Sequence, residues 1–246
     1  MIANSPLEEY PLLRGRWTNL STPSRVRATP QEGNNLCYNK HMDSFLNAKH
    51  GHNQIKICVS GAAETGHCGI DALDKAKELG REIARQGAVL VTGATTGFPL
   101  WVAMGLKEVG GISIGISPAA SEREHVEVYK LPLDYIDLVM YTGFGYAGRD
   151  ILLTRCADAV ICGCGRIGTI HEFTIAFEDN KPIGVFEGPW EMGTQLEEII
   201  QKGHRPNAKI VSGTDPKKLV EDILTLVKKD KVAEYKVTKD SVSDTN

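Results

Sequence analysis

An arginine and a glutamate flank a glycine-rich turn in the second half of the chain, and these residue types suit chemistry on a phosphorylated molecule. The turn covers residues 163–168, between an apolar run typical of a strand and a run typical of a helix. Such a turn leaves backbone N–H groups unpaired at the positive end of the helix dipole, where phosphate binds. Glu172 lies one helical turn further on, and Arg149 follows another glycine-rich loop. We therefore predict a small-molecule site and favour an enzyme.

The same turn also spells GxGxxG. With Glu187 at the end of the next predicted strand, that string would suit a dinucleotide such as NAD or FAD. However, residues 143–148 spell GxGxxG as well, and the usual fingerprint belongs to the first βα turn of a sheet. Dinucleotide binding is therefore kept as a second alternative.

Thr169 and Glu172 form the pattern T-x-x-E, which is typical of a helix capping box. Residues 194–197 repeat the pattern with no glycine loop before them, so a purely structural role is a serious alternative. Glu172 differs in its neighbours, because Arg166 and Arg149 lie on glycine-rich loops close by. An arginine and a glutamate that converge on a phosphate-binding turn indicate a phosphorylated ligand.

Strand-like and helix-like segments alternate from about residue 55 to residue 229. Strands are predicted over residues 55–60, 89–92, 112–117, 138–141, 159–162, 183–187 and 209–212. Helices are predicted over residues 70–86, 100–109, 146–156, 169–179, 194–202 and 216–229, the last with Asp215 as its N-cap. Repeated βα units with apolar strands predict a Rossmann-like, three-layer α/β fold with a parallel sheet of about seven strands and helices on both faces.

Four loops that follow predicted strands are rich in small residues. They cover residues 60–66, 93–97, 142–148 and 163–168. All four should meet at the carboxyl edge of the sheet, where ligands of parallel sheets bind, and their glycines allow close backbone approach. The candidate binding residues at this edge are Ser60, Gly61, Gly93, Gly97, Gly165, Arg166, Gly168 and Thr169.

The cysteines lack the dense spacing of a disulfide scaffold, which predicts reduced thiols. The six are Cys37, Cys58, Cys68, Cys156, Cys162 and Cys164. Several of them, with His67 and His171, could approach the carboxyl edge of the sheet. Because C-x-C at a strand end is not a zinc signature and Cys162 is expected to face the core, we predict no metal site.

Composition gives no reason to expect a nucleic-acid or membrane partner. The formal net charge is -3, and no apolar run approaches the length of a membrane span. The chain also lacks the apolar core of a secretory signal, so we expect a cytoplasmic protein.

Three regions are predicted along the chain. Residues 1–53 are polar and interrupted by prolines, which predicts a flexible N-terminal extension. Arginines give this extension a faint similarity to a transit peptide, but its glutamates argue against one. Residues 54–230 are predicted to form a Rossmann-like nucleotide-binding domain. Residues 231–246 are charged and weakly apolar, which predicts a flexible C-terminal tail that frays.

The residues around the turn resemble a known family. Arg149, the pair Asp158 and Ala159, and residues 165–172 match in spacing the signature PGGxGTxxE, with its preceding Arg and "DA" strand start, of the Lonely guy family of nucleoside 5′-monophosphate phosphoribohydrolases. The resemblance covers about residues 55–227 and is greatest to a divergent branch that includes the molybdenum-cofactor carrier proteins. It implies a Rossmann-like fold, a homodimer or higher homo-oligomer, and a nucleotide site without a cofactor.

The resemblance also implies a reaction, in which the N-glycosidic bond of a nucleoside 5′-monophosphate is hydrolysed to free base and ribose 5-phosphate. Glu172 would be the catalytic carboxylate beside the ribose, and Arg149 would orient both. The N–H groups near Gly168 and Thr169, together with Arg166, would hold the phosphate.

Three departures from the family pattern make hydrolysis less secure than binding. Cys164, Gly165 and Arg166 stand where the family has Pro-Gly-Gly. His171 replaces the acid that usually precedes the matched glutamate, and Asp150 replaces the lysine that usually follows the matched arginine. The alternative function is therefore a carrier or sensor that binds a nucleotide or a phosphorylated pterin, such as the molybdenum cofactor, without cleaving it.

Overall fold

The computed structural model describes residues 54–204 and 209–243, with side chains as far as residue 231. The predicted N-terminal extension lies outside the described residues. The described residues form a parallel sheet of seven strands: β1 Lys56–Ser60, β2 Val89–Thr92, β3 Ser113–Ser117, β4 Leu138–Tyr141, β5 Ala159–Cys162, β6 Ile183–Phe186 and β7 Ile210–Gly213.

Seven helices connect and flank these strands in the described part of the chain. They are α1 Ala72–Arg85, α2 Phe98–Glu108, α3 Glu122–Glu127, α4 Gly145–Cys156, α5 Ile167–Glu178, α6 Met192–Lys202 and α7 Pro216–Ser243. Helices α1, α2 and α7 pack on one face of the sheet and α4 and α5 on the other. The predicted three-layer Rossmann-like fold is confirmed.

The order of the strands places a crevice at the centre of the sheet. The order is β4-β3-β2-β1-β5-β6-β7, so the chain moves outward from β1 in one direction and outward from β5 in the other. Ser60, the last residue of β1, pairs in register with Cys162, the last residue of β5. The loops after these two strands therefore leave the sheet side by side and in opposite directions, and ligands of open α/β sheets bind at such a switch point.

The strands could be predicted from the sequence because most of them are buried and therefore apolar. Every residue of β2, β5 and β6 is buried, since helices cover both faces of the central strands. The edge strands β4 and β7 are only partly covered. The core is filled by large apolar side chains, among them Ile57, Leu90, Phe98, Ile161, Phe173 and Phe186.

Most helix boundaries lie within two residues of the sequence predictions, but one helix was not predicted and one extends well past its predicted end. Helix α5 begins at Ile167, two residues earlier than predicted. Helix α3 was not predicted, because six residues are too few to show an apolar period; Ser121 caps it by accepting a hydrogen bond from the Glu124 N–H at 3.2 Å. Helix α7 begins at the predicted Pro216, and the Asp215 carboxylate accepts from the Lys217 N–H at 3.0 Å.

Helix α7 runs on to Ser243, well past its predicted end at Lys229. The backbone is thus helical through most of the segment that the sequence predicts to fray. The flexibility of residues 231–246 stays a prediction. Among the described residues no helix is long and apolar enough to cross a membrane.

Candidate active site at the β1–β5 crevice

A cleft of about 310 Å³ opens at the carboxyl ends of β1 and β5. Eight of the ten predicted site residues line it: Ser60, Gly61, Gly93, Arg149, Arg166, Gly168, Thr169 and Glu172. They come from four separate loop and helix segments, as the meeting of βα loops at one edge of the sheet predicts. The cleft is at the small end of the range found for small-molecule sites.

Gly97 and Gly165, the other two predicted residues, act through packing rather than by lining the cleft. Gly97 has a positive φ of 72°, and a Cβ there would overlap the carbonyl oxygens of Ala62 and Ala63. A Cβ on Gly165 would overlap the Thr169 side chain. The absence of a side chain at Gly97 lets it pack against the loop after β1, and at Gly165 it leaves room for Thr169.

The centre of the cleft is a buried network around Glu172. Ser60 donates its hydroxyl hydrogen to Glu172 Oε2 in a short hydrogen bond. Arg149 Nη1 donates to Glu172 Oε1 at 3.2 Å. The side chains of Arg149 and Glu172 are only 5% and 9% exposed. The arginine and glutamate singled out in the sequence therefore form a buried ion pair between α4 and α5.

Asp150 and His171 extend this network toward the surface. Asp150 Oδ1 lies 3.2 Å from Arg149 Nη1, and its Oδ2 lies 2.8 Å from His171 Nδ1. Asp150 is buried, whereas the imidazole is about half exposed. The two residues that depart from the family pattern thus contact each other.

Burial raises the pKa of Glu172 to about 7. The Arg149 guanidinium opposes this shift because it favours the carboxylate, and Asp150 adds to it through charge repulsion and a hydrogen bond. A carboxyl group with a pKa near neutrality can hold or accept a proton at physiological pH. The site therefore has acid–base capacity as well as binding groups.

The position of Arg149 depends on a glycine. A Cβ on Gly93 would overlap the Arg149 guanidinium, so a larger residue at the end of β2 would displace it. The guanidinium carbon lies 5.7 Å from the centre of the Tyr146 ring. Arg149 Nε is buried without a hydrogen-bond partner among the described residues. A buried donor in this state indicates a missing acceptor, which a ligand could supply.

The N-terminus of α5 forms one wall of the cleft. The Thr169 N–H donates to the Arg166 carbonyl at 2.9 Å, so the N–H groups of Ile167 and Gly168 are the ones at this terminus that make no backbone hydrogen bond in the described part of the chain. Arg166, the N-cap residue, forms an ion pair with Glu64 from the loop after β1. Both side chains are more than half exposed, so this pair can open toward an anion at small cost.

The capping-box interpretation of T-x-x-E is wrong in this structure. Helix α5 begins at Ile167, so Thr169 lies inside its first turn rather than at the N-cap. The Glu172 carboxylate reaches Ser60 and Arg149 instead of a backbone N–H. The second pattern, Thr194 to Glu197, likewise lies inside α6 and caps nothing.

The expectation that every cysteine is reduced is wrong for one pair. Cys68 and Cys164 form a disulfide across 96 residues of sequence, with Cα atoms 5.6 Å apart. The loops after β1 and β5 meet because those strands are neighbours, which sequence spacing does not reveal. Cys58, Cys156 and Cys162 are free. Cys162 faces the core as expected, and burial raises the pKa of its thiol.

Several lining residues were not predicted, among them Glu64, Thr95, Tyr146, Asp150 and Ile167. Four of them lie in or beside the glycine-rich loops, so extending the prediction to every side chain of those loops would have found them. Asp150 adjoins the predicted Arg149.

Glu187, the residue proposed to bind a dinucleotide ribose, does not reach this cleft. It lines a separate cleft of about 580 Å³ with Trp190 and Thr194. The geometry therefore does not support the dinucleotide alternative.

Comparison with known proteins gives one family and several similar folds. The sequence model of the SLOG cluster4 family matches residues 54–220. An uncharacterised protein of Archaeoglobus fulgidus is 29% identical over 135 residues, which is 55% of this chain and 83% of the relative.

Solved structures with a similar fold include two proteins named for the molybdenum cofactor. The molybdenum cofactor binding protein of Rippkaea orientalis is 25% identical with a TM-score of 0.56, covering 73% of this chain and 98% of that one. The molybdenum cofactor carrier protein of Chlamydomonas reinhardtii is 23% identical with a TM-score of 0.55, covering 71% and 99%. At this identity the second likeness shows the fold alone.

Proposed function

The chain belongs to the SLOG cluster4 family, and we propose that its β1–β5 cleft binds a phosphorylated small molecule and releases it intact. The first candidate ligand is the molybdenum cofactor, a phosphorylated pterin, and the second is a nucleoside monophosphate. This carrier function is the alternative reached from the sequence. The similar structure named as a molybdenum cofactor binding protein, that of Rippkaea orientalis, supports it better than it supports hydrolysis.

The observation that carries this proposal is the exposed N-terminus of α5, which lines the cleft. The N–H groups of Ile167 and Gly168, the positive end of the helix dipole and the Arg166 guanidinium all lie on one wall of the cleft. A phosphate bound there would exchange the Arg166–Glu64 ion pair for a charge-assisted contact with the ligand.

The inner part of the cleft fits a polar ring system. Arg149 Nε is a buried donor without a partner in the described part of the chain. The Tyr146 ring and Pro99 offer apolar surface to a flat ligand. Arg149 would thus bind the ligand, while Ser60 and Asp150 hold Arg149 and Glu172 in place.

Two features favour binding without cleavage. Both oxygens of Glu172 are already engaged, one by Ser60 and the other by Arg149, so this carboxylate is not poised on a substrate. Arg166 also occupies the position of the second glycine of the hydrolase signature, where a side chain hinders close backbone approach.

Thermal unfolding of the full-length protein with matched ligand pairs tests the proposal. Molybdopterin and AMP are compared with dephosphorylated molybdopterin and adenosine. A bound ligand stabilises in proportion to the logarithm of its concentration over its dissociation constant. We expect the phosphorylated member of at least one pair to raise the unfolding temperature and its partner to leave it unchanged. Equal effects within both pairs would contradict a phosphate site.

Nucleoside 5′-monophosphate hydrolysis is the second candidate, and the pKa of Glu172 near 7 favours it. Glycosidic cleavage develops positive charge on the ribose, which an ionised carboxylate stabilises. Adenine release from AMP, followed by chromatography, tests this reaction. Release by the wild type that is abolished in Glu172→Gln supports it. No release by the wild type, or equal release by the wild type and the variant, removes the catalytic role of Glu172.

The cytoplasmic location and the absence of nucleic-acid and membrane partners stay predictions. The small net charge of -3 is the reason to expect no nucleic-acid partner.

A further inference from the structure

A group of soft-metal donors lies beside the cleft but is not part of its lining. His67, Cys68 and Cys164 place one imidazole nitrogen and two sulfurs within 4.8 Å of one another. We propose that, when Cys68 and Cys164 are reduced, these three residues bind a Zn²⁺ ion, and that the disulfide is the closed, metal-free state of the same site. This inference does not depend on which ligand the cleft binds.

The donor set suits zinc. Two cysteine thiolates and one histidine nitrogen provide three tetrahedral positions, and a fourth is left for a solvent oxygen because His67 lies at the surface. Two thiolates balance the charge of one Zn²⁺ ion, so the bound group is neutral. Neutrality matters here, because Cys68 and Cys164 are both fully buried and an unbalanced charge would be costly.

The backbone holds both cysteines in place without help from the bond between their sulfurs. The Ala62 N–H donates to the Cys164 carbonyl at 2.8 Å, which ties the loop after β1 to the loop after β5. The Cys68 N–H donates to the Thr65 carbonyl at 2.9 Å. Gly69, with a φ of 87°, packs against Pro189. The two thiols should therefore still face each other after reduction.

His67 is oriented toward the sulfurs. Its Nε2 lies 3.5 Å from Cys164 Sγ and 3.1 Å from the Gly165 carbonyl oxygen. When the ring proton is on Nδ1, Nε2 presents its lone pair toward Cys164 and can serve as a ligand. The Gly165 carbonyl then lies beside the metal rather than accepting a hydrogen bond.

The conversion between the two states balances with ordinary thiol chemistry. A dithiol reductant supplies two electrons and two protons, breaks the bond between the sulfurs and is itself oxidised to a disulfide. Zn²⁺ then replaces the two thiol protons, which pass to solvent. A disulfide-class oxidant that removes two electrons from the metal-free thiols forms the bond again.

The test is a zinc titration of the full-length protein with a chromophoric chelator as competitor. Reduced protein, freed of phosphine reductant, should bind one equivalent more than the oxidised protein. Cys68→Ala and Cys164→Ala should weaken that equivalent by more than the roughly 10- to 100-fold typical of changes around metal ligands, and His67→Ala should weaken it as well. Cys156→Ser removes a free thiol outside the group and serves as the matched control that keeps the wild-type affinity.

Cobalt binding provides a readout that needs no variant. Co²⁺ in a tetrahedral site with two thiolates gives strong visible and near-ultraviolet absorption, which the reduced wild-type protein should show and the oxidised protein should lack. The proposal is overturned if the reduced protein binds no additional metal, if it binds equally well without Cys68 or Cys164, or if the disulfide resists reduction while the protein is folded.

Discussion

Opposing influences on the pKa of Glu172 place it near physiological pH. Burial disfavours the carboxylate, while Arg149 and Ser60 favour it, and the net effect raises the pKa to about 7 from an ordinary value of 4.5. At physiological pH the folded protein therefore contains both protonated and ionised forms. The strength of the Arg149–Glu172 ion pair follows the ionised fraction.

This pKa predicts a pH-dependent stability. Below pH 4.5 Glu172 is protonated in both the folded and unfolded states. Between pH 4.5 and about 7 the unfolded state releases a proton that the folded state keeps, so the contribution of Glu172 to stability falls as pH rises and levels off above pH 7.

Urea unfolding of the wild type and Glu172→Gln at pH 5 and pH 8 measures this effect. The wild type should lose on the order of 1 to 3 kcal/mol relative to the variant between these two pH values. An equal dependence on pH in both proteins would show that the Glu172 pKa is not raised.

Arg166 tests the assignment of the phosphate site. Arg166→Gly restores the glycine of the hydrolase signature and removes one charge-assisted contact, so the dissociation constant for AMP, if AMP is bound, should rise about tenfold. Arg123→Ala removes a surface ion pair, with Glu127, that does not line the cleft and should leave the constant unchanged. Calorimetric titration makes the comparison, and the same affinity in Arg166→Gly and wild type would exclude the proposed role.

Glycines set the distance between α1 and α2, the two helices that cover β1 and β2. A Cβ on Gly80 would overlap the Val102 carbonyl, and a Cβ on Gly105 would overlap the Lys77 carbonyl. The helices pack backbone to backbone at both points. Any larger residue must push them apart.

We predict that Gly80→Ala destabilises the protein by about 1 to 3 kcal/mol, because overpacking outweighs the gain in helix propensity. The matched control is Gly193→Ala in α6, where a Cβ would make only ordinary contacts at 3.7 Å. Chemical denaturation should show a loss for the first variant and no loss for the second. A neutral Gly80→Ala would mean that the helices are not in backbone contact.

The strands were predictable from sequence and the contacts between loops were not. Strands such as Val89–Thr92 and Ala159–Cys162 were predicted at their observed bounds, because a fully buried strand is a short apolar run between polar turns. The Cys68–Cys164 pair depends on β1 and β5 being neighbours in the sheet, a property of the crossover connections. The start of α5 was misplaced because T-x-x-E imitates a cap.

For the ten predicted site residues, too, the position in the fold was predictable and the side-chain contacts were not. Eight could be placed at the cleft because glycine-rich turns after parallel strands converge. The bond from Ser60 to Glu172 and the contact of Asp150 with His171 depend on side-chain positions that spacing does not determine.

An exposed apolar face on α4 supports the homodimer that the family resemblance implies. Phe144 just before the helix and Ile151 on it share one helical face and are 68% and 40% exposed, and Leu152 beside them is 40% exposed. Apolar side chains grouped in this way are typical of protein interfaces.

We predict that the full-length protein has about twice the 26.9 kDa mass of its chain in light scattering. Ile151→Glu should shift it to the monomer, because a charge in an apolar interface is left unpaired. Ile70→Glu, at a fully exposed position outside α4, should leave the mass unchanged. A wild-type monomer at all concentrations would contradict the prediction.

At the scale of the whole molecule, we propose a protein that carries a phosphorylated ligand and returns it unchanged. Native mass spectrometry of the full-length protein, incubated with molybdopterin and with AMP, tests it most directly. We predict a complex with the mass of one intact ligand per chain and no adenine in solution. A carrier function is contradicted if neither ligand forms a complex, or if AMP is converted to adenine by the wild type and not by Glu172→Gln.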